Sequence, residues 1–270
     1  MRSTAWIWRI ASVASIVTTI LLLCGFIYAV RDIMNPSAEH SVGTNTAAEP
    51  KATSPGLPPG QTGVVVIGDS LAKGTGDDEG KGFARRTVDL LQAENKAHTV
   101  KLLGNLGING LTTQRLVPML EETGVQHMLK EANVILLSIG GNDLFAGAQA
   151  MQTGDLPTEQ ELEASVVEAS KRLKTIVGRI HSINPDARLV YIGLYNPFSD
   201  LKDMREIGNQ AVARWNRVAL DIVNGVAGAN VTPTYDLFVN NLSVYISGDH
   251  FHPNGDGYQQ IAERIVQGLD

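Results

Sequence analysis

Four β-branched residues in a row, Val64-Val65-Val66-Ile67, constrain the fold of this chain more than any other feature. A half-buried strand alternates apolar and polar side chains, so an unbroken apolar run of this length fits a strand covered on both faces, as in a parallel sheet. The run feeds into Gly68-Asp69-Ser70-Leu71 and then the small, flexible Gly74-Thr75-Gly76. Gly68 lets the chain turn sharply as the strand ends. Ser70 then stands at the carboxyl edge of the strand, where open α/β sheets collect their ligands. A serine there is a candidate nucleophile. Taken alone, a turn serine capping the next helix is the safer reading.

The rest of the chain alternates strand and helix. Strands are expected at about 63–69, 99–104, 133–139, 188–194 and 231–235, with helices at about 82–95, from Thr112 onward, 159–183, 205–226 and after Asn254. The clearest helix is 159–183, where Leu162, Val166, Leu173, Ile176, Val177, Ile180 and Ile183 recur at three to four residues. Thr158 and Glu161 form a capping box at its start, and Asn184-Pro185 stops it. This order implies an α/β domain: a three-layer α/β/α sandwich around a central parallel sheet, with flavodoxin-like layering.

A serine hydroxyl is a weak nucleophile near neutral pH. It needs an imidazole to take its proton and a carboxylate to orient that imidazole. Asp249-His250-Phe251-His252-Pro253-Asn254 offers both on one short turn, with Asp249 and His252 three apart. His250 is the local competitor, but it adjoins Asp249 and is expected to point elsewhere. A third block, Leu136-Leu137-Ser138-Ile139-Gly140-Gly141-Asn142-Asp143, ends an apolar strand in an asparagine whose amide can meet a developing oxyanion. Asp143 is read as bracing that loop. The fourth block, Asn105-Leu106-Gly107-Ile108-Asn109-Gly110-Leu111-Thr112-Thr113, can present a glycine N–H to the same oxygen. Two loops, 144–157 with Phe145 and Met151 and 196–204 with Pro197, Phe198 and Met204, are suited equally to shaping a pocket and to ordinary loop packing.

These four blocks, in this order, resemble the SGNH (GDSL-type) hydrolase family from Gly63 to the C-terminus. The resemblance implies a catalytic triad of Ser70, Asp249 and His252. It also implies an oxyanion hole built from the backbone N–H of Ser70, the backbone N–H of Gly110 and the side chain of Asn142. Gly107 is the alternative register for the glycine.

Residues 10–30 carry no charge, and 21 apolar or small residues as a helix are about enough to cross a ~30 Å hydrocarbon layer. Arg2 and Arg9 precede the run while Arg31 and Asp32 cancel, which places the N-terminus inside and the rest of the chain outside. A cleaved signal peptide is the alternative; its apolar core would be long and no clean cleavage site follows. Residues 1–32 are therefore read as a single-pass anchor. Residues 33–62, rich in Pro, Ser, Thr, Ala and Gly, read as a tether, and 63–270 as the catalytic domain.

Net charge is −6, and no basic stretch interleaves with aromatics, which argues against a nucleic-acid partner. Cys24 is the one cysteine, so no intramolecular disulfide forms. Asp249, His250 and His252 lack further ligands in the other blocks, so neither a metal nor another cofactor is expected. The expected activity is hydrolysis of carboxylic esters of lipids outside the cytoplasm. An O-acetyl esterase acting on cell-wall or extracellular carbohydrate is the alternative within the enzyme class. A non-catalytic protein that binds glycan or lipid at the cell surface is the alternative outside it.

Overall fold

The computed structural model describes residues 60–145 and 158–269, together with Ser12, Ser15, Thr18, Thr19 and Leu22, which are helical and exposed. Apart from those five positions, the expected membrane span at 10–30 and the tether up to residue 59 lie outside the described residues. No helix among the described residues is long and apolar enough to cross a membrane.

From residue 60 the chain runs β1 (Gln61–Gly68), α1 (Ser70–Lys73), α2 (Gly82–Glu94), β2 (Thr99–Gly107), α3 (Thr113–Met119), α4 (Thr123–Glu131) and β3 (Val134–Ser138). It continues as α5 (Gly141–Leu144), α6 (Glu159–Ile183), β4 (Arg188–Ile192), α7 (Lys202–Asn224), β5 (Ala229–Thr232), α8 (Tyr235–Phe238), α9 (Leu242–Tyr245) and α10 (Gly255–Gln267). The five strands form one parallel sheet in the order β2-β1-β3-β4-β5. This is the doubly wound order in which the winding direction reverses between β1 and β3, leaving a crevice at the carboxyl ends of those two strands.

The run 64–67 is fully buried, and its side chains divide between two cores. Val65 and Ile67 join Ile135, Leu137 and Leu189 under α6 and α7, which contribute Leu173, Ile176, Val212 and Trp215. Val64 and Val66 join Leu136 and Val190 on the opposite face, under Phe83 of α2 and Tyr258, Ile261 and Ile265 of α10. Each such side chain taken from water stabilises by roughly 1.5–3 kcal/mol, which is why this strand carries no polar face.

The helix at 159–183 has the expected bounds, and its capping box is formed in both directions between Thr158 and Glu161. Past its end, buried Asn184 donates to the carbonyls of Leu129, Lys130 and Ala132, satisfying the last turn of α4. Several expected bounds shift, β4 ending at Ile192 rather than about residue 194 and β5 running Ala229–Thr232 rather than about 231–235. Strand β1 begins at Gln61 rather than Gly63, because Gln61 and Thr62 pair with Thr99 and Val100. Strand β2 runs on to Gly107 rather than ending near residue 104, because Asn105, Leu106 and Gly107 pair in register with Val66, Ile67 and Gly68. Pairing to a central strand here outweighs the poor strand propensity of Gly and Asn.

Candidate active site

The turn out of β1 sets the position of Ser70. Gly68 has φ +142°, and a Cβ there would lie 1.8 Å from the Ser138 carbonyl oxygen. Only glycine lets β1 pass this close to β3, with the Asp69 N–H donating to that oxygen at 2.9 Å. Asp69 then caps α1, its carboxylate accepting from the Leu71 N–H at 3.1 Å. Ser70 is the first residue of that short helix and is 5% exposed. Its own N–H is one of the orphan donors of a helix start and meets no acceptor among the described residues.

The second half of the site is the turn between α9 and α10, closed by the Ser247 N–H donating to the His252 carbonyl at 2.8 Å. Asp249 Oδ1 accepts from Ser247 Oγ at 2.8 Å and from the backbone N–H groups of Phe251 and His252 at 2.9 Å each. Its other oxygen lies 2.6 Å from His252 Nδ1. His252 Nε2 lies 2.8 Å from Ser70 Oγ. With Nδ1–H directed at the carboxylate, Nε2 is the basic nitrogen facing the serine hydroxyl. Burial pulls the Asp249 carboxyl upward, but the bonds from the His252 ring, the His252 and Phe251 amides and Ser247 outweigh it and hold the group at about 2. It is therefore an anion wherever the imidazole can work. His250 is exposed at φ +57°, and its ring takes no part in these bonds. The loop Gly74-Thr75-Gly76 runs flush beneath the turn, since a Cβ on Gly76 would stand 2.8 Å from His252 Cβ.

Asn142 lies in α5, directly beyond β3. Its amide donates to the Leu111 carbonyl at 3.0 Å, which ties it to the loop holding Gly110, and its other N–H meets no acceptor among the described residues. The Gly110 N–H has no acceptor among the described residues, whereas the Gly107 N–H is taken by Asn105 Oδ1 at 2.9 Å. Gly107 instead packs against the backbone of α1, with a Cβ position 2.3 Å from the Lys73 nitrogen. Of the two registers, Gly110 is the glycine with a donor to offer.

Residues 66–260 match the GDSL-like lipase/acylhydrolase family. The chain belongs to that family. It is 31% identical over 210 residues to YpmR, an uncharacterized protein of Bacillus subtilis, spanning 76% of this chain and 80% of that one. It is 27% identical over 210 residues to the spore germination lipase LipC of Bacillus licheniformis, spanning 74% and 93%. The fold is similar to the crystal structure of Lip_vut3, a lipase from a goat rumen metagenome, with a TM-score of 0.67, 23% identity, and 76% and 96% coverage.

The GDSL-family motifs rest on supports that do not stand out in the sequence. Asp143, 4% exposed in its side chain, accepts from the Thr113 N–H at 2.9 Å and from Thr113 Oγ1 at 2.5 Å. Arg172 of α6 completes the cluster, donating to Thr113 Oγ1 at 2.8 Å. This bond set locks the Asn142 loop to the Gly110 loop, and it gives Asp143 the bracing role read from sequence. On the other side, Trp215 Nε1 donates to Tyr191 Oη at 2.7 Å, and Tyr191 Oη donates to the Ile139 carbonyl at 2.7 Å. Asp69 is the third support, accepting from Ser138 Oγ at 2.8 Å; burial pushes its carboxyl up to about 7, against those hydrogen bonds. Spacing could have flagged Ser247, two residues before Asp249. Arg172 sits among several charges on a long amphipathic helix, and nothing local marks it.

Beside Ser70 and Asn142 a small cleft opens, walled by Leu71, Phe145, Leu194, Pro197 and Phe251. Phe145 and Pro197 belong to the two loops for which the sequence leaves pocket shaping and ordinary packing open. Among the described residues, no group of three or more His, Cys, Asp or Glu is placed to hold a metal ion.

Proposed function

We propose that this chain is a serine carboxylic-ester hydrolase, anchored by its N-terminal apolar segment with the catalytic domain on the extracytoplasmic side. The observation that carries the reading is the continuous hydrogen-bonded line Ser70–His252–Asp249, at 2.8 Å and 2.6 Å, opening onto an apolar-walled cleft. Nucleophile, base and orienting carboxylate stand within proton-transfer distance with no substrate present.

The reaction follows from that geometry. His252 Nε2 takes the Ser70 proton as Oγ attacks the acyl carbon. The carbonyl oxygen of the ester takes the electron pair of the broken π bond and becomes an oxyanion received by the N–H groups of Ser70, Gly110 and the Asn142 side chain. The imidazolium, stabilised by Asp249, then gives its proton to the departing alcohol. A water deprotonated by His252 attacks the acyl-serine, and Ser70 regains its proton as the carboxylic acid leaves. Ser70→Ala should lower kcat on p-nitrophenyl acetate by about 10⁴–10⁶ while leaving the thermal transition in place. Residual turnover within tenfold of the wild type would remove Ser70 from the mechanism.

The apolar lining supports a lipid ester as substrate, and LipC, to which this chain is similar, is named a lipase. One observation favours the second reading, an O-acetyl ester of carbohydrate: the cleft is narrow, with only about 20 Å³ in which a water-sized sphere can be centred. The anchor is tested by fractionation and by protease added to intact cells. A chain found in the membrane and cut from outside supports it, and a chain in the soluble cytoplasmic fraction overturns it.

A further inference from the structure

The inference concerns acyl-chain length, and it rests on the esterase reading above. About 20 Å³ of the cleft can take the centre of a water-sized sphere, so the space beside the reacting carbonyl is narrow. Two of its walls belong to a row of three rings. Phe198 stands 5.5 Å from Phe145 in an edge-to-face contact and 5.6 Å from Phe251 in a tilted one. Phe145 and Phe251 form two walls of the cleft, and Phe198 sits behind them, 8% exposed. The walls do not yield easily. The Tyr195 hydroxyl donates to the Phe251 carbonyl at 2.8 Å, and the Phe251 ring packs 4.9 Å from the His252 imidazole. An acyl chain that displaced Phe251 would therefore disturb the base as well. The rest of the lining includes Leu71, Leu194, Tyr195 and Pro197, with the buried carboxyl group of Asp69 among them.

We propose that this cleft is the acyl site and that Phe198, wedged between Phe145 and Phe251, closes it to acyl groups longer than two or three carbons. The substrate class is then short-chain esters, acetyl esters first, with specificity for the alcohol supplied by the open side of the site.

The test is kcat/KM of the full chain on p-nitrophenyl esters from acetate to palmitate, for wild type, Phe198→Ala and Phe251→Leu, with Ser70→Ala as blank. The wild type should peak at acetate or propionate and fall by about tenfold or more by hexanoate, as expected when added methylenes meet a closed wall. Phe198→Ala should raise the hexanoate-to-acetate ratio by about tenfold or more. If that variant does not fold, Phe251→Leu trims the same row from its half-buried side and should move the ratio in the same direction. A Ser70-dependent wild-type maximum at octanoate or beyond overturns the acyl-length inference and leaves the esterase reading intact. A ratio unchanged in a folded Phe198→Ala or Phe251→Leu variant overturns the role of the ring row. No Ser70-dependent hydrolysis of any ester sinks the esterase reading and this inference with it.

Discussion

At the scale of single residues, the site depends on side chains whose charge is set by what surrounds them. Asn142 has one amide hydrogen fixed on Leu111 and, among the described residues, no acceptor for the other, so Asn142→Ala should lower kcat by roughly 10²–10³ with KM nearly unchanged. Turnover equal to wild type would take Asn142 out of the oxyanion hole. Asp249 is held at about 2, below its ordinary 3.8, so its contribution to stability is complete above 3.8 and lost as the pH falls through about 2. Ser247 supplies one of the bonds that lower it. In Ser247→Ala, a carboxyl NMR titration should show the Asp249 midpoint displaced upward; an unmoved midpoint would contradict the assignment. Asp69 has the opposite sign. Its carboxyl is raised from 3.8 to about 7, so the stability it contributes is complete below 3.8 and drains away as the pH rises through about 7. The Tm of wild type should therefore fall between about pH 5 and about pH 8 by more than that of Asp69→Asn, which keeps the helix cap. Parallel Tm profiles would show that Asp69 does not titrate in that window.

At the scale of elements, the site is assembled from four strand and helix ends, and its precision depends on how those ends are tied. Thr113 opens α3, Asp143 lies in α5 and Arg172 comes from α6, so one bond set joins the two loops that carry Gly110 and Asn142. Thr113→Val keeps the volume and removes the hydroxyl. It should reduce kcat by about 10–100-fold through misplacement of the donors, with KM changed by less than about threefold. A variant with wild-type kcat would mean that the two loops hold their positions without this tie. Much of this assembly is legible in the sequence, because each motif directly follows or precedes an element that hydrophobic period identifies. Val64–Ile67 names β1, the capping box names α6, and the Asp249-to-His252 spacing names the turn. Less legible is what depends on distant pairing. Strand β2 extends through Gly104 and Asn105 only because β1 lies beside it. Helix α4 has too short a periodic stretch to stand out, and its last carbonyls are satisfied from Asn184, more than fifty residues away.

At the scale of the whole described domain, the doubly wound order explains why four motifs scattered over some 180 residues converge. The reversal between β1 and β3 puts the ends of both strands at one crevice, and α10 packs on the face that brings the His252 turn over Ser70. The two cores flanking the sheet hold this geometry. Trp215, fully buried beneath the sheet and bonded to Tyr191, should cost ~3–5 kcal/mol when cut to alanine, whereas Leu220→Ala on the same helix, 44% exposed, should cost no more than about 0.5 kcal/mol by urea denaturation. Equal costs would show that α7 is not seated as described. All of these expectations serve one claim, that Ser70 is an activated nucleophile. The most direct measurement is labelling of the folded full-length chain with a fluorophosphonate, followed by mass spectrometry of the modified peptide. One adduct is expected, on Ser70, absent in Ser70→Ala and formed much more slowly in His252→Ala. A folded wild-type chain that stays unlabelled, or that carries the adduct on another serine, would contradict it.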